Sequence, residues 1–283
     1  MISDDWRGDA ILKGLLAEDL GRGDVTTNAT IPAGVPVRGR IVARTRLVEA
    51  GLDVARATFS LLDPNLTWEG DPREGRWAEA GDSLTVLGGD ARAILSAERV
   101  ALNLLQRMCG IATATRAFVD AVEGTGCRIL DTRKTAPGLR VFDKRAVAAG
   151  GGKNHRFGLD DGILIKDNHL AVAGSAREAV ARAKRSASAL LKIEVEVENE
   201  EQLREALASG ADALLIDNRT PAELAALVKV ARSIRRDVPL EASGGIRLDN
   251  VRAYAETGVN FVSIGALTHS VVAADISLEL DIA

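Results

Sequence analysis

Between Asp131 and His169 the chain sets Arg133, Lys134, Lys144, Arg145, Lys153, His155, Arg156 and Lys166 among glycines and short apolar runs. In a chain of net charge -4, this is a local cationic basin. Glycines let backbone donors come close, and several fixed cations around one hollow suit a small polyanion carrying phosphate or carboxylate groups. Duplex nucleic acid calls for a broadly basic domain, and the acid excess argues against it. Arginine forks match carboxylates bidentately, and a histidine between two arginines can donate one more hydrogen bond. Arg133, His155 and Arg156 therefore suit a dicarboxylate, which would use cations beyond those that phosphates require.

Two carboxylates, Glu196 and Asp217, each close a short apolar run, and Lys134 and Lys166 end or follow two others. Such a set at one mouth suits a Mg²⁺-bound, multiply phosphorylated substrate, because Mg²⁺ takes carboxylate and phosphate oxygens and keeps several waters. A structural ion-pair network is the plainer alternative. Two late loops, EASGGI at 241–246 and VSIGALTHS at 262–270, place Ser243, Gly244, Gly245, Ser263, Gly265 and Ala266 where backbone N–H groups could cradle a phosphate monoester. Tight turns without a ligand would use the same small residues. His169 and His269 read as ordinary loop histidines, and the spacing of the three histidines gives no zinc motif.

The elements that must position these groups repeat one grammar. RILD, GILIK, KIEVEV, ALLID, VPLEAS and FVSIG are short apolar runs, each closed by a small or charged residue and followed by a helical segment. Runs buried on both faces and alternating with helices predict parallel strands in a (β/α) barrel, with functional residues at the strands' C-terminal ends. Six strands leave the barrel irregular or hide one or two more between Lys144 and Gly152. A Rossmann-type sheet is the rival, weakened by the lack of a G-x-G-x-x-G turn after the first strand.

Upstream, Ile11 to Leu20 is amphipathic, Arg38–Ala43 and Leu84–Leu87 alternate as strands, and the stretch between them reads as turns and edges. Residues 96–122 predict one or two helices capped by Ser96, which puts Arg99 in a first turn where an acid is preferred. Trp6, Trp68 and Trp77 read as packing residues. The expected division is an α/β open sandwich over 1–108, joined by the tail 271–283, and a barrel over 109–270. Cys109 and Cys127 form no metal-spaced pair and no disulfide framework, so each reads as a small buried hydrophobe in a reducing cytoplasm. The polar start and the absence of a long apolar run predict an untargeted protein that crosses no membrane.

ED-L-G-R-GD-V-T-T (18–27), SAER-x-ALN (96–103), DTRKT-x-PGLR (131–140), GGGKNHR-x-GL-x-D (150–160), IKDNH (165–169), EVEVEN (194–199) and LLIDN (214–218) together resemble the quinolinate phosphoribosyltransferases. The resemblance spans nearly the whole chain and is loose from about 53 to 93. It implies an N-terminal α/β sandwich with an irregular α/β barrel, paired head to tail in a homodimer whose subunits complete each other's sites, with a hexamer as a further possibility. It implies quinolinate and 5-phosphoribosyl 1-pyrophosphate as substrates, Mg²⁺, and nicotinate mononucleotide, pyrophosphate and CO2 as products, in NAD biosynthesis. Carried over by motif, Thr132, Arg133, His155 and Arg156 bind quinolinate, with Arg99 reaching in from the partner subunit. Lys134 and Lys166 meet pyrophosphate and substrate oxygens, Glu196 and Asp217 the ribose hydroxyls and metal, and the loops at Ser243 and Gly265 the 5-phosphate. A related transferase acting on another ring acid, or a barrel that binds a ligand without turnover, are the competing readings.

Overall fold

The computed structural model describes residues 6–70 and 73–282. Along the chain the elements are α1 (Trp6–Leu20), α2 (Val25–Thr30), β1 (Pro36–Ala43), β2 (Leu47–Val48), α3 (Leu52–Ser60), β3 (Thr67–Glu69), β4 (Trp77–Ala78), β5 (Ser83–Asp90) and α4 (Ala91–Ala121). There follow β6 (Arg128–Leu130), α5 (Arg140–Ala149), β7 (Ile163–Ile165), α6 (Asp167–Ala173), α7 (Ala176–Ser186), β8 (Ile193–Val197), α8 (Glu200–Ala208) and β9 (Ala213–Asp217). The last are α9 (Pro221–Ile234), β10 (Leu240–Ser243), α10 (Val251–Ala255), β11 (Phe261–Ser263), α11 (Ala266–His269) and β12 (Ile276–Ile282). Two compact units result: Met1–Arg116 with Thr135–Gly151 and Leu267–Ala283, and Ala117–Lys134 with Gly152–Ala266.

In the first unit, alternation along β1 buries Val37 and Ile41 and exposes Arg38 and Arg40. The strand is paired on both edges, in an antiparallel sheet of order β12-β1-β5-β3. Gly39 is bare because a Cβ there would meet the side chains of Leu278 and Leu280 on β12. The EDLGRGDVTT motif ends one helix and starts another: Gly21 and Gly23 take positive φ, and Asp24 caps α2 by accepting from the Thr27 amide at 2.9 Å. Trp68 packs against Phe59 and Trp77 lies under Arg46, whereas the Trp6 side chain lies outside the described residues.

The stretch expected to start a helix at Ser96 belongs to one continuous helix, α4, that begins at Ala91. Asp90 accepts from the Ala93 amide at 3.1 Å and so supplies the cap, while the Ser96 hydroxyl donates to Asp24 at 3.2 Å. Arg99 is therefore well past the first turn, and the dipole objection to it disappears. Cys109 and Cys127 are free and buried, and burial pushes their thiols up to about 12 and about 11.

The second unit holds all six sequence-predicted strands in a parallel sheet of order β6-β11-β10-β9-β8-β7. The region between Lys144 and Gly152 hides no strand; α5 occupies most of it and clusters with the first unit. The strand-like contact comes just after. Lys153 pairs with Leu130, its amide donating to the Ile129 carbonyl at 2.8 Å and its carbonyl accepting from Asp131 at 3.1 Å. No ladder joins this segment to β7 among the described residues, so the barrel closes irregularly. The strands also depart from the expected burial on both faces: β8 alternates, with Val195 and Val197 fully buried between the more accessible Glu194 and Glu196. No helix among the described residues is long and apolar enough to cross a membrane.

Two cations of the predicted basin lie in the first unit instead. Lys144 is buried on α5, and Arg145 pairs with Asp53 at 2.9 Å. On the same helix the fully buried Asp143 takes a bidentate fork from Arg107 at 2.7 and 2.8 Å and the Ala136 amide at 3.2 Å. Losing one partner of such a pair strands the other in a poorly solvated place. Asp143→Ala should cost about 3–5 kcal/mol in urea unfolding, and a loss under about 1 kcal/mol, the range of an exposed pair, would show the fork to be energetically idle.

Candidate active site

Strand register decides which side chains share the barrel interior. Paired residues in a parallel ladder point to the same face, and the period is two. Leu164 is level with Glu194, and Glu196, Leu215 and Glu241 are level across β8, β9 and β10, with Ser243 beside Asp217 one step further on. A cavity of about 120 Å³ opens among the strand ends. Thr132, Arg133 and Lys134 line it from the loop after β6, His155 and Arg156 from the segment beside β6, and Lys166, Ser243 and Ser263 from strand ends. Leu164, Leu215 and Glu241 complete the lining, so apolar surface lies directly beside the cations.

Each group is held in a definite state. The His155 amide donates to the buried Asp131 carboxylate at 2.8 Å, and His155 Nδ1 accepts from the Arg156 amide at 2.8 Å. The histidine proton is thereby placed on Nε2, which lies 3.2 Å from Glu194 and 3.5 Å from Glu241. Arg156 donates through Nη1 to the Gly162 carbonyl at 2.9 Å, while its Nε is buried with no hydrogen-bond partner among the described residues. Burial, and secondly the charge of Arg133, hold the Arg156 guanidinium below its ordinary range. Two crowded arginines with an unused donor are what an anionic ligand would relieve.

Lys166 reaches Glu196 at 3.4 Å. Burial raises the Glu196 carboxyl and Asp217 repels it in the same direction, against the pull of Lys166. A pair of oxygen donors that repel each other at strand ends fits a hard divalent cation such as Mg²⁺. Glu241 is raised further, to about 8, by burial first and by Glu194 second, with His155, the Ser263 hydroxyl and Lys166 opposing. The ligand atoms of His155, Glu194 and Glu241 lie within 4.8 Å of one another, at distances that make an N–H···carboxylate cluster, and an imidazole is a poor magnesium ligand.

The β9 and β10 loops are locked together. Asn218 takes φ 50° and donates its amide to the Ser243 carbonyl at 2.9 Å, with its side chain against Asp217 at 2.6 Å. Gly244 takes φ 93°, and a Cβ there would collide with the Asn218 side chain. Gly245, also at positive φ, follows it, and Gly265 and Ala266 follow β11.

Of the residues singled out from sequence, Thr132, Arg133, Lys134, His155, Arg156, Lys166, Ser243 and Ser263 meet in this cavity, and Glu196 joins through Lys166. Arg99 stands in the first unit, on α4, where it lines a separate hollow with Glu18, Asp19 and Asn103. Sequence reasoning passed over Asp131, Glu194 and Glu241 as site residues. The signal was present as acids inside apolar strands, IEVEV and PLEAS.

A barrel whose strand ends gather arginines, lysines, a carboxylate pair and glycine loops defines a transferase-type site for a small polyanion. Residues 24–109 match the N-terminal domain, and residues 111–279 the C-terminal domain, of quinolinate phosphoribosyl transferase. The chain belongs to the quinolinate phosphoribosyl transferase family. It is 46% identical over 290 residues to the nicotinate-nucleotide pyrophosphorylase [carboxylating] of Mycobacterium leprae, covering 99% of this chain and 100% of that one. It is 45% identical over 270 residues to a probable nicotinate-nucleotide pyrophosphorylase [carboxylating] of Bacillus subtilis, covering 95% and 92%. The structure superposes on the nicotinate-nucleotide pyrophosphorylase of Francisella tularensis with a TM-score of 0.91 at 36% identity, over 97% and 96% of the two chains.

The backbone bond from Arg156 to His155 Nδ1 leads to a direct spectroscopic expectation. At neutral pH, long-range ¹H–¹⁵N correlation should show His155 with an unprotonated Nδ1 and a protonated Nε2, and a Nδ1–H tautomer would contradict the geometry.

Proposed function

We propose that this chain is a carboxylating pentosyltransferase that joins quinolinate to 5-phosphoribosyl 1-pyrophosphate, releasing pyrophosphate and CO2 and forming nicotinate mononucleotide for NAD biosynthesis. The observation that carries this reading is the grouping of Arg133, His155 and Arg156 around one cavity, with a buried arginine donor still unused. A ring diacid offers two carboxylates to the guanidinium donors of Arg133 and Arg156, and its ring lies against Leu164 and Leu215.

The remaining residues serve the transfer. Lys134 and Lys166 draw the pyrophosphate, and the Ser243–Gly244–Gly245 and Gly265–Ala266 loops receive the 5-phosphate on backbone donors. Glu196 and Asp217 face the ribose, where negative charge favours the oxocarbenium-like state reached as pyrophosphate departs. The same two carboxylates would hold Mg²⁺, which when bound would neutralise charge growing on the leaving group. Fixing the ring nitrogen in line with the anomeric carbon supplies much of the acceleration. Decarboxylation follows transfer, because only the ribosylated, cationic nitrogen can balance the electron pair left on the adjacent carbon.

The assembly belongs to the same proposal. A homodimer that lends Arg99 of one subunit to the barrel of the other gives that arginine a substrate carboxylate to meet; a hexamer would be built from such dimers, and the enzyme would work in the cytoplasm.

With Mg²⁺ present, quinolinate but not nicotinate should yield nucleotide, with CO2 released in equal amount; turnover of nicotinate would overturn the diacid reading, and quinolinate binding without turnover would make the chain a sensor. Arg156→Ala removes a charge-assisted contact worth about 1.5–3 kcal/mol. The KM for quinolinate should rise roughly 10- to 150-fold, with that for the pyrophosphate substrate nearly unchanged. Arg99→Ala and Lys134→Ala, each inactive alone, should recover up to about a quarter of wild-type activity after subunit exchange. Exchange demonstrated by mass spectrometry without any recovery would rule out the shared site.

A further inference from the structure

The cavity holds one acid that the transfer does not use. Glu241 lies mid-strand in β10, 2% exposed, yet it contributes to the cavity wall. Apolar Leu215 of β9 is level with it, and charged and polar groups face it from the other elements around it. Glu194 comes from β8, His155 from the segment beside β6 with Nε2 3.5 Å from Oε2, Ser263 from β11 through its hydroxyl, and Lys166 from the end of β7. Its other oxygen, Oε1, is buried with no hydrogen-bond partner among the described residues. A carboxylate oxygen left bare in that place is costly, whereas a carboxylic acid can carry its proton there.

We propose that Glu241, in its acid form, delivers the proton to the ring carbon that loses CO2. The inference rests on the decarboxylating reaction proposed above. In that step the bond from the ring carbon to its carboxylate breaks, CO2 departs, and the bonding pair stays on the carbon beside the ribosylated nitrogen. As that carbon–carbon bond breaks, the Glu241 O–H bond breaks with it, a C–H bond forms in the same step, and the new carboxylate is held by His155 Nε2–H and the Ser263 hydroxyl. No electron is gained or lost overall, and water restores the proton after product leaves.

The other cavity residues are less suited. Arginine does not give up a proton in proteins. His155 has Nδ1 engaged by a backbone amide and aims Nε2–H at two carboxylates. Lys166 is paired with Glu196 at the mouth. Burial and Glu194 keep the Glu241 proton on up to about 8, close to the pH where a general acid is both populated and effective. Because the acid form is required, the decarboxylation step should slow as pH rises through about 8.

By microscopic reversibility the Glu241 carboxylate should remove that same ring proton from nicotinate mononucleotide. The experiment is exchange of the ring hydrogen between the nitrogen and the carboxylated carbon in D2O, followed by proton NMR with the full-length enzyme. Wild type should wash the proton out, and Glu241→Gln, which keeps the shape but cannot transfer a proton, should be at least about 100-fold slower. Glu241→Asp should restore part of the rate, and quinolinate affinity of Glu241→Gln by calorimetry should stay within about threefold, the latitude expected of a group outside the binding set. In a single turnover Glu241→Gln should release pyrophosphate ahead of CO2, and the fall above about 8 should vanish. Exchange by Glu241→Gln at the wild-type rate, or loss of quinolinate binding in it, would overturn the role. Failure of the wild type to make nucleotide from quinolinate would instead overturn the reaction itself.

Discussion

The Asp131 carboxylate is the joint on which the cationic pocket depends. It lies one residue beyond β6, is fully buried, and accepts the His155 amide at 2.8 Å. Its own backbone amide donates to the Lys153 carbonyl at 3.1 Å. A buried carboxylate must find donors, and by taking this one it ties the loop carrying Thr132, Arg133 and Lys134 to the segment carrying His155 and Arg156. Two stretches more than twenty positions apart are thereby oriented by the same residue. The tether also holds Nδ1 of His155 where the next amide can donate to it, so the fold sets the tautomer as well as the position.

Acids inside the barrel balance these cations. The register brings Glu194, Glu196 and Glu241 onto the inward face, with valines and other apolar residues alternating outward. That inverts the usual arrangement of a packed barrel core. The cost is visible in the upward shifts of Glu196 and Glu241, both led by burial. Depth separates their chemistry. Glu196 shares the mouth with Lys166 and Asp217, where a charge can be compensated, while Glu241 sits where a proton is the cheapest compensation.

The strands and the barrel were legible because the short apolar runs are regular and local. Side-chain placement was legible only where it followed from strand ends: Lys166 and Ser243 stand at strand ends and line the cavity. Lys144 and Arg145 share the same stretch of sequence but sit on α5, where Arg145 is drawn to Asp53, ninety-two positions away. The helix start at Ser96 was misread because Asp90, the residue that caps α4, is also the last residue of β5, and a strand run straight into a helix leaves no loop to mark the boundary. Glu194 and Glu241 were passed over because alternation within a strand of four or five residues is too short a pattern to separate from chance, and their meeting at His155 is a tertiary fact.

The irregular closure of the barrel is itself what aims Arg156. A regular ladder between the Lys153 segment and β7 would engage backbone groups on both sides. Here the Gly162 carbonyl, at the leading edge of β7, accepts instead from Arg156 Nη1 at 2.9 Å. A side chain thus spans the place where strand pairing is missing, with one arm of the guanidinium fixed to backbone and Nε buried with no hydrogen-bond partner among the described residues. Arginine is suited to this because its planar fork can satisfy a carbonyl with one nitrogen and keep others for a carboxylate. A lysine could reach the carbonyl but would have no second rigid donor to offer. The gap in the sheet and the unused donor in the pocket are therefore one feature, and closing the first would remove the second.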